Sequence, residues 1–505
     1  PASEAWSAET ISVYIGPLQF SLSVESLETY AREGTIRPDF AAYAGQLNEE
    51  QLAQLRKALA TRADVTPVAV SQFFYSTQGE AILRELGKLI QTRTGQSGFY
   101  AIRSALILAA ADEEGLTPLN VLKKFPTDSI RINSARAFEL IERASRAIQE
   151  TEDAIASIER QALEETQAIA ASILTQDLRQ PGGMQYRKQS LLLNDIRRNR
   201  IFPADIYLPQ RSDRAPLVAI SHGLGSDRES YQYLATHLAS RGFAVVVPEH
   251  PGSNAEQLKD LASGLVQDIT PPRELIDRPL DIKFLLDEVE RAYGEQLNMQ
   301  DVGIIGQSFG GYTALALAGA EIDFTQLPQK CDPDNPSLNV SFLIQCQALQ
   351  LSPQNYNLRD ERVRAAIAIN PLASTIFGQA GLSKIQIPTA IVAGSADTVT
   401  PAVDEQILPF RAIAAADKYF VLLKGGTHFS TIGVGSRDIE LPPQVLGPNP
   451  AIAYDYIKAI GFAFFATHVA GQSQYRPYLS ATYAQLLSQD AIPLTLVQSL
   501  KLLKP

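Results

Sequence analysis

The stretch that decides the fold is Val302-Gly303-Ile304-Ile305-Gly306-Gln307-Ser308-Phe309-Gly310-Gly311-Tyr312-Thr313-Ala314-Leu315-Ala316. Its first residues are apolar and β-branched, the signature of a short buried strand. Its last residues are small and apolar, and read as a helix. Between them lies Gly306-Gln307-Ser308-Phe309-Gly310, the G-x-S-x-G pattern that puts a serine on a sharp strand-to-helix turn. Backbone angles at such a serine are strained, so small residues must flank it. The turn lifts Oγ clear of the sheet and sets it near a helix N-terminus, which favours developing negative charge. A chain with 31 glycines can produce this pattern as a plain Gly-rich turn. The strand before and the helix after argue for a nucleophile instead.

The surrounding sequence alternates strand and helix. Gln189–Asp195 and Arg200–Leu208 read as a paired antiparallel edge. Short apolar strands follow at Pro216–Ser221, Phe243–Pro248, Val302–Gly306, Val363–Ile369, Thr389–Ala393 and Tyr419–Leu423. Helical patterns separate them at Tyr231–Arg241, Arg278–Ala292, Tyr312–Gly319 and Val403–Ala415. This rhythm predicts an α/β fold, with a mostly parallel sheet covered by helices on both faces. Residues 321–362 interrupt it with a long polar insert, read as a helical lid.

Upstream, residues 1–128 read as a separate, mostly helical domain that opens on two β-like runs, Ile11–Ile15 and Gln19–Val24. Asn48 and Gln51 have capping-box spacing. Residues 129–180 read as a long connecting helix and linker, with Ile141, Ile148, Ile155, Ala162 and Ile169 recurring every seventh position. Residues 181–505 are then the catalytic domain.

A serine hydroxyl needs a base, and the base needs an acid to orient it. In strand–turn–helix enzymes of this kind the order along the chain is Ser, then Asp or Glu, then His. His428, in Gly425-Gly426-Thr427-His428-Phe429-Ser430, follows a strand at the edge where ligands bind in open α/β sheets. The other downstream histidine, His468, ends an apolar helix and reads as packed. Asp397, in Gly394-Ser395-Ala396-Asp397-Thr398, follows the strand before, whereas its rival Asp404 falls inside the next helix. The oxyanion donors are expected to be the backbone N–H groups of Phe309 and of Leu224, in Ser221-His222-Gly223-Leu224-Gly225-Ser226. One such donor contributes about 3–4 kcal/mol in the transition state. His222, Gly223, His250, Phe342 and Leu343 are candidate pocket residues, with packing beneath the loops or onto the body as the plainer reading of the side chains.

Composition sets outer limits. The formal net charge is −11, spread along the chain. That disfavours nucleic acid and anionic lipid surfaces as partners. No apolar run reaches the roughly 18 residues needed to span a bilayer. No Cys/His spacing suggests a metal site. The two cysteines, Cys331 and Cys346, are expected to pair, closing a loop of about 15 residues for ~3 kcal/mol of lost unfolded-chain entropy. Such a bond belongs to an oxidising compartment. The chain starts without Met, so a removed signal peptide and a secreted or periplasmic location are expected.

The segment His222–Ser253, the Ser308 turn and the Asp397 and His428 motifs together resemble the α/β-hydrolase superfamily, over about residues 180–470. Within it they look closest to the dienelactone hydrolase and platelet-activating-factor acetylhydrolase-like branch. With its helical first domain and Cys-bearing insert, the whole chain resembles cyanobacterial-type hydrolases, which typically carry a signal peptide. The resemblance implies hydrolysis of carboxylic esters without a cofactor, with a lipid or phospholipid acyl hydrolase of acetylhydrolase type as an alternative. Dienelactone hydrolases proper use a cysteine nucleophile, so Ser308 argues against that substrate. Acyl transfer to an alcohol by the same residues is the alternative, and a vestigial site with a binding role for the first domain is the non-enzymatic one. Oligomeric state is not legible.

Overall fold

Strand residues in a sheet covered on both faces must be apolar on both sides, and successive side chains must enter opposite layers. The computed structural model, which describes residues 7–15, 18–166, 174–332, 337–435 and 443–500, shows this arrangement. Two compact units divide the chain. The first runs to Ala147 and takes in Leu258–Ile269; the second holds Ile148–Gln257 and the chain from Thr270 onward.

The first unit carries strands β1 (Thr10–Ile15), β2 (Leu18–Ser23), β3 (Ile90–Thr92) and β4 (Ser129–Ile132), in the order β2-β1-β4-β3. Helices pack around Leu27, Phe40, Leu83, Ile102 and Ala105. The Asn48–Gln51 capping box is formed, each side chain bonding the other residue's backbone N–H. The helix Thr77–Leu89 stops where Ile90–Thr92 joins the sheet against β4, although the apolar helical spacing continues through Ile90. Pairing with a distant strand overrides local propensity there.

The long helix spans Ser134–Glu165, and the division between units falls inside it rather than at 128 or 180. The heptad stripe packs only in its second half, where Ile155 and Ala162 lie against the sheet's core. Ile141 and Ile148 are exposed, while Ala154, Ile158 and Gln161 are buried. Ile169 lies outside the described residues. In the second unit Ala154 and Ile158 join the sheet's core beside Ile155 and Ala162, so the stripe is buried only where the sheet offers it a surface.

The second unit is built on nine strands: β5 (Tyr186–Asp195), β6 (Arg200–Pro209), β7 (Ala215–Ser221), β8 (Ala244–Pro248), β9 (Leu297–Gln307), β10 (Val363–Ile369), β11 (Thr389–Gly394), β12 (Lys418–Leu423) and β13 (Leu494–Val497). Their order is β13-β12-β11-β10-β9-β7-β8-β6-β5. The run from β8 through β7, β9, β10 and β11 to β12 is parallel. The β5–β6 hairpin and β13 close the edges antiparallel. Tyr419, Val421 and Leu423 enter one core; Phe420 and Leu422 enter the other. Helices Glu274–Tyr293, Phe309–Ala318 and Ser374–Leu382 cover the first layer. Helices Gln232–Ser240, Pro450–His468 and Ala481–Leu487 cover the second.

The insert after the Phe309–Ala318 helix holds short helices at Leu327–Lys330 and Phe342–Gln345, and Cys331 and Cys346 form a disulfide. Its second half is fastened to the body. The buried Glu405 carboxylate accepts from Asn339 Nδ2 (2.5 Å), Gln345 Nε2 (2.9 Å) and the Ala373 and Ser374 backbone N–H groups (2.7 and 2.9 Å). Ser341 N–H reaches Val399 O at 3.1 Å. Glu405 sits in a π-turn, Val403–Ile407, followed by the short helix Leu408–Ala412, where the sequence pattern predicts one regular helix. A wide turn of this kind re-aims side chains, here a carboxylate onto the insert. Replacing both cysteines by serine is expected to lower the stability of the second unit by up to ~3 kcal/mol in denaturant unfolding. An unchanged midpoint would mean that the Glu405 bonds alone hold the insert.

Candidate active site

Five loops meet at the carboxyl edge of the parallel strands, after β7, β8, β9, β11 and β12. Ser308 follows β9 with φ 56° and ψ −117°, a conformation L-residues avoid. Its N–H bonds Ile369 O of β10 (2.8 Å), and its carbonyl accepts from Tyr312 N–H (3.0 Å). The flanking glycines are sterically required. A Cβ on Gly306 would lie 2.1 Å from Gly310 O, and one on Gly310 would lie 2.0 Å from Ser221 O.

His428 Nε2 lies 2.9 Å from Ser308 Oγ, and its Nδ1 lies 2.7 Å from Asp397 Oδ2. All three residues are almost wholly buried. The second Asp397 oxygen accepts from the backbone N–H groups of Val399 (2.8 Å) and Thr400 (2.7 Å), and Thr400 Oγ1 donates to Oδ2 at 2.7 Å. A carboxylate so held accepts a hydrogen bond from Nδ1–H, which leaves Nε2 free to accept from the serine hydroxyl.

Two further residues support this geometry. Gln307 Nε2 donates to His428 O at 3.0 Å. Asn370, at the end of β10 with φ 43°, accepts from Gly394 N–H (2.9 Å) and donates to Thr427 O (3.3 Å), so it ties the acid strand to the base loop. Sequence reading missed Thr400 and Asn370. The available signal was an amide side chain ending a parallel strand beside the nucleophile.

Phe309 opens the helix after Ser308, and Leu224 is half-buried in the loop after β7. Among the described residues nothing accepts a hydrogen bond from either backbone N–H. Gly223, next to Leu224, lies against the turn; a Cβ there would meet Gln307 Oε1 at 2.5 Å.

Other candidate pocket residues are placed differently. His222 and His250 are fully buried and face no open surface. His222 Nδ1 bonds Gly223 O (2.8 Å), and its Nε2 accepts from His250 N–H (3.0 Å), so it clamps one loop to the other. His250 lies between Ser221 Oγ and Asp281 Oδ2, each at 3.0 Å. Both are loop supports because the loops close over them. Phe342 lines a cavity of about 680 Å³ with Lys330, Ser374 and Leu408, whose walls include none of Ser308, Asp397 or His428. Leu343 is half-buried beside it in sequence and is not part of that wall. The Glu405 bonds hold this part of the insert to the π-turn. His468 packs against Tyr419, its Nε2 3.1 Å from the hydroxyl.

Two family models match the chain. One, described as an α/β hydrolase of unknown function, covers residues 7–133. The other, platelet-activating factor acetylhydrolase isoform II, covers residues 207–263. The fold is that of an α/β-hydrolase. The matches support a hydrolase of the acetylhydrolase-like branch. They fall on different parts of this hydrolase: the first on the N-terminal unit, the second on β7, β8 and their loops, which hold His222, Leu224 and His250. Ser308, Asp397 and His428 lie outside both. Among the described residues no helix is long and apolar enough to cross a membrane.

Burial keeps four of the five histidines neutral. It lowers His222 and His237 to about 3 and His468 to about 4, and takes His250 well below its ordinary value. An unfolded imidazole titrates near ~6.5. As pH falls below that value, the unfolded chain binds protons that the folded one excludes, so stability declines toward pH 4. The melting temperature of the second unit should therefore fall between pH 7 and pH 4.5, and His468→Gln should make that slope shallower. A slope identical in the variant would count against the burial effect at His468.

Proposed function

We propose that the protein is a serine esterase that cleaves carboxylic esters through an acyl-enzyme. The observation that carries this reading is the continuous hydrogen-bonded chain Ser308–His428–Asp397 at the carboxyl edge of the sheet. Ser308 Oγ attacks the ester carbonyl carbon while His428 Nε2 takes its proton. Asp397 stabilises the imidazolium and fixes its orientation. The carbonyl oxygen, now an oxyanion, receives the N–H groups of Phe309 and Leu224. His428 then protonates the departing alkoxide, and water attacks the acyl-serine by the reverse route. None of these steps calls on a cofactor.

The likeness to the acetylhydrolase model over 207–263 supports a lipid ester as substrate. The disulfide supports an oxidising compartment, secreted or periplasmic.

Hydrolysis of p-nitrophenyl acetate and butyrate tests the reading. Ser308→Ala should abolish turnover, and a fluorophosphonate probe should label the wild type but not the variant. Asp397→Asn should lower kcat by a factor on the order of 10⁴ through the wrong imidazole tautomer. Activity should fall on the acid side, because a protonated imidazole cannot accept the hydroxyl proton. Full turnover by Ser308→Ala would end the assignment.

A further inference from the structure

Arg278 is a fully buried side chain on the helix Glu274–Tyr293. The acids around it on that helix go to other partners. Arg200 takes Glu274 (2.7 Å) and Asp281 (2.8 Å), and Arg198 takes Asp281 (2.8 Å). Among the described residues Arg278 has no ion pair. Its guanidinium donates only to neutral oxygens: His222 O, Ser253 Oγ (2.7 Å), Thr313 Oγ1 (3.2 Å) and Ser221 Oγ (3.3 Å). Burial lowers it to about 9, so it stays charged at neutral pH. A buried cation without a direct counter-ion is costly, and an apolar side chain of the same volume would serve packing alone at least as well.

The position of this charge suggests what it does. His222 O belongs to the loop that carries Leu224, two residues on. The Phe309 ring lies under the guanidinium at 4.6 Å. One rigid fork therefore touches both chain segments whose N–H groups await an oxyanion. A brace holds it from behind. Asp281, kept in place by two arginines, accepts from His250 Nδ1 (3.0 Å), and His250 Nε2 accepts from Ser221 Oγ (3.0 Å). This Ser221–His250–Asp281 chain repeats the connectivity of a nucleophile, base and acid, but all three are fully buried. No substrate reaches it, and its hydroxyl is spent as an acceptor for Arg278.

We propose that Arg278 is a positioning residue for the oxyanion donors of Phe309 and Leu224, with Ser221, His250 and Asp281 as its fixed support. This rests on the esterase reading above. The amides must be set before the reaction, because donors that reorganise during it stabilise the oxyanion less.

The test compares wild type, Arg278→Met and Arg278→Lys on p-nitrophenyl butyrate, with Ser308→Ala as control and active sites counted by fluorophosphonate labelling. A trifluoromethyl ketone serves as second probe. Ser308 Oγ bonds to its carbonyl carbon, the carbonyl electron pair moves onto oxygen, and the proton goes to His428. Per labelled site, Arg278→Met should lose kcat on the order of 10²-fold, the scale for misplaced catalytic groups. Its affinity for the ketone should weaken in proportion, while KM shifts less than about threefold and the acid limb of the pH profile stays put. Arg278→Lys keeps the charge without the fork and should fall between. If Arg278→Met does not fold by circular dichroism, Arg278→Lys carries the same readouts. Wild-type kcat and ketone affinity in a folded variant, with turnover still dependent on Ser308, would overturn this inference alone. Turnover independent of Ser308 would overturn the esterase reading and this inference with it.

Discussion

Ser308 holds a backbone conformation with φ 56° and ψ −117°, and the structure around it imposes those angles. Its N–H is fixed to β10 through Ile369, and the helix that follows takes its carbonyl through Tyr312. Gly306 packs against Gly310 of the same turn, and Gly310 against the end of β7 at Ser221, so closely that neither can carry a side chain. Strain of about 1–3 kcal/mol persists only where the surroundings over-determine it. Here strand pairing, helix start and loop closure each do so, and the hydroxyl that results stands at the one edge where the other loops converge.

The surrounding loops are held by buried polar groups rather than by apolar packing. Asn370 joins the acid strand to the base loop, Gln307 fixes the carbonyl of His428, and His222 clamps the loop after β7 to the loop after β8. Hydrogen bonds define direction, which hydrophobic contact does not. Beneath them Arg198 and Arg200, from the β5–β6 hairpin, pair with Glu274 and Asp281 of the helix that also carries Arg278. The apolar layers fix where the strands lie; the polar network fixes where the loop amides and the imidazole point.

The insert shows a similar division of labour. Its disulfide closes it on itself, while Glu405 fastens it to the body. Read as a string, the insert's Phe342 and Leu343 suggested a wall for the reacting ester. In the folded chain the Glu405 bonds turn this segment along the π-turn, and Phe342 faces a cavity of its own. Nothing in the spacing of the insert encodes that, because the acceptor lies some sixty residues away.

The sequence by itself determined the alternating layers of the parallel sheet, since residues such as Tyr419–Leu423 are apolar at every position and admit no half-exposed strand. It also determined where Ser308, Asp397 and His428 fall relative to strand ends, because glycine-rich turns mark those ends locally. Tertiary structure alone decided which face of the long helix packs, that His222 and His250 lie beneath the loops, and that Arg278 has neutral partners while Arg200 takes the acids. Those outcomes depend on which distant groups compete for one buried charge or one apolar surface. A linear pattern records the groups but not the competition.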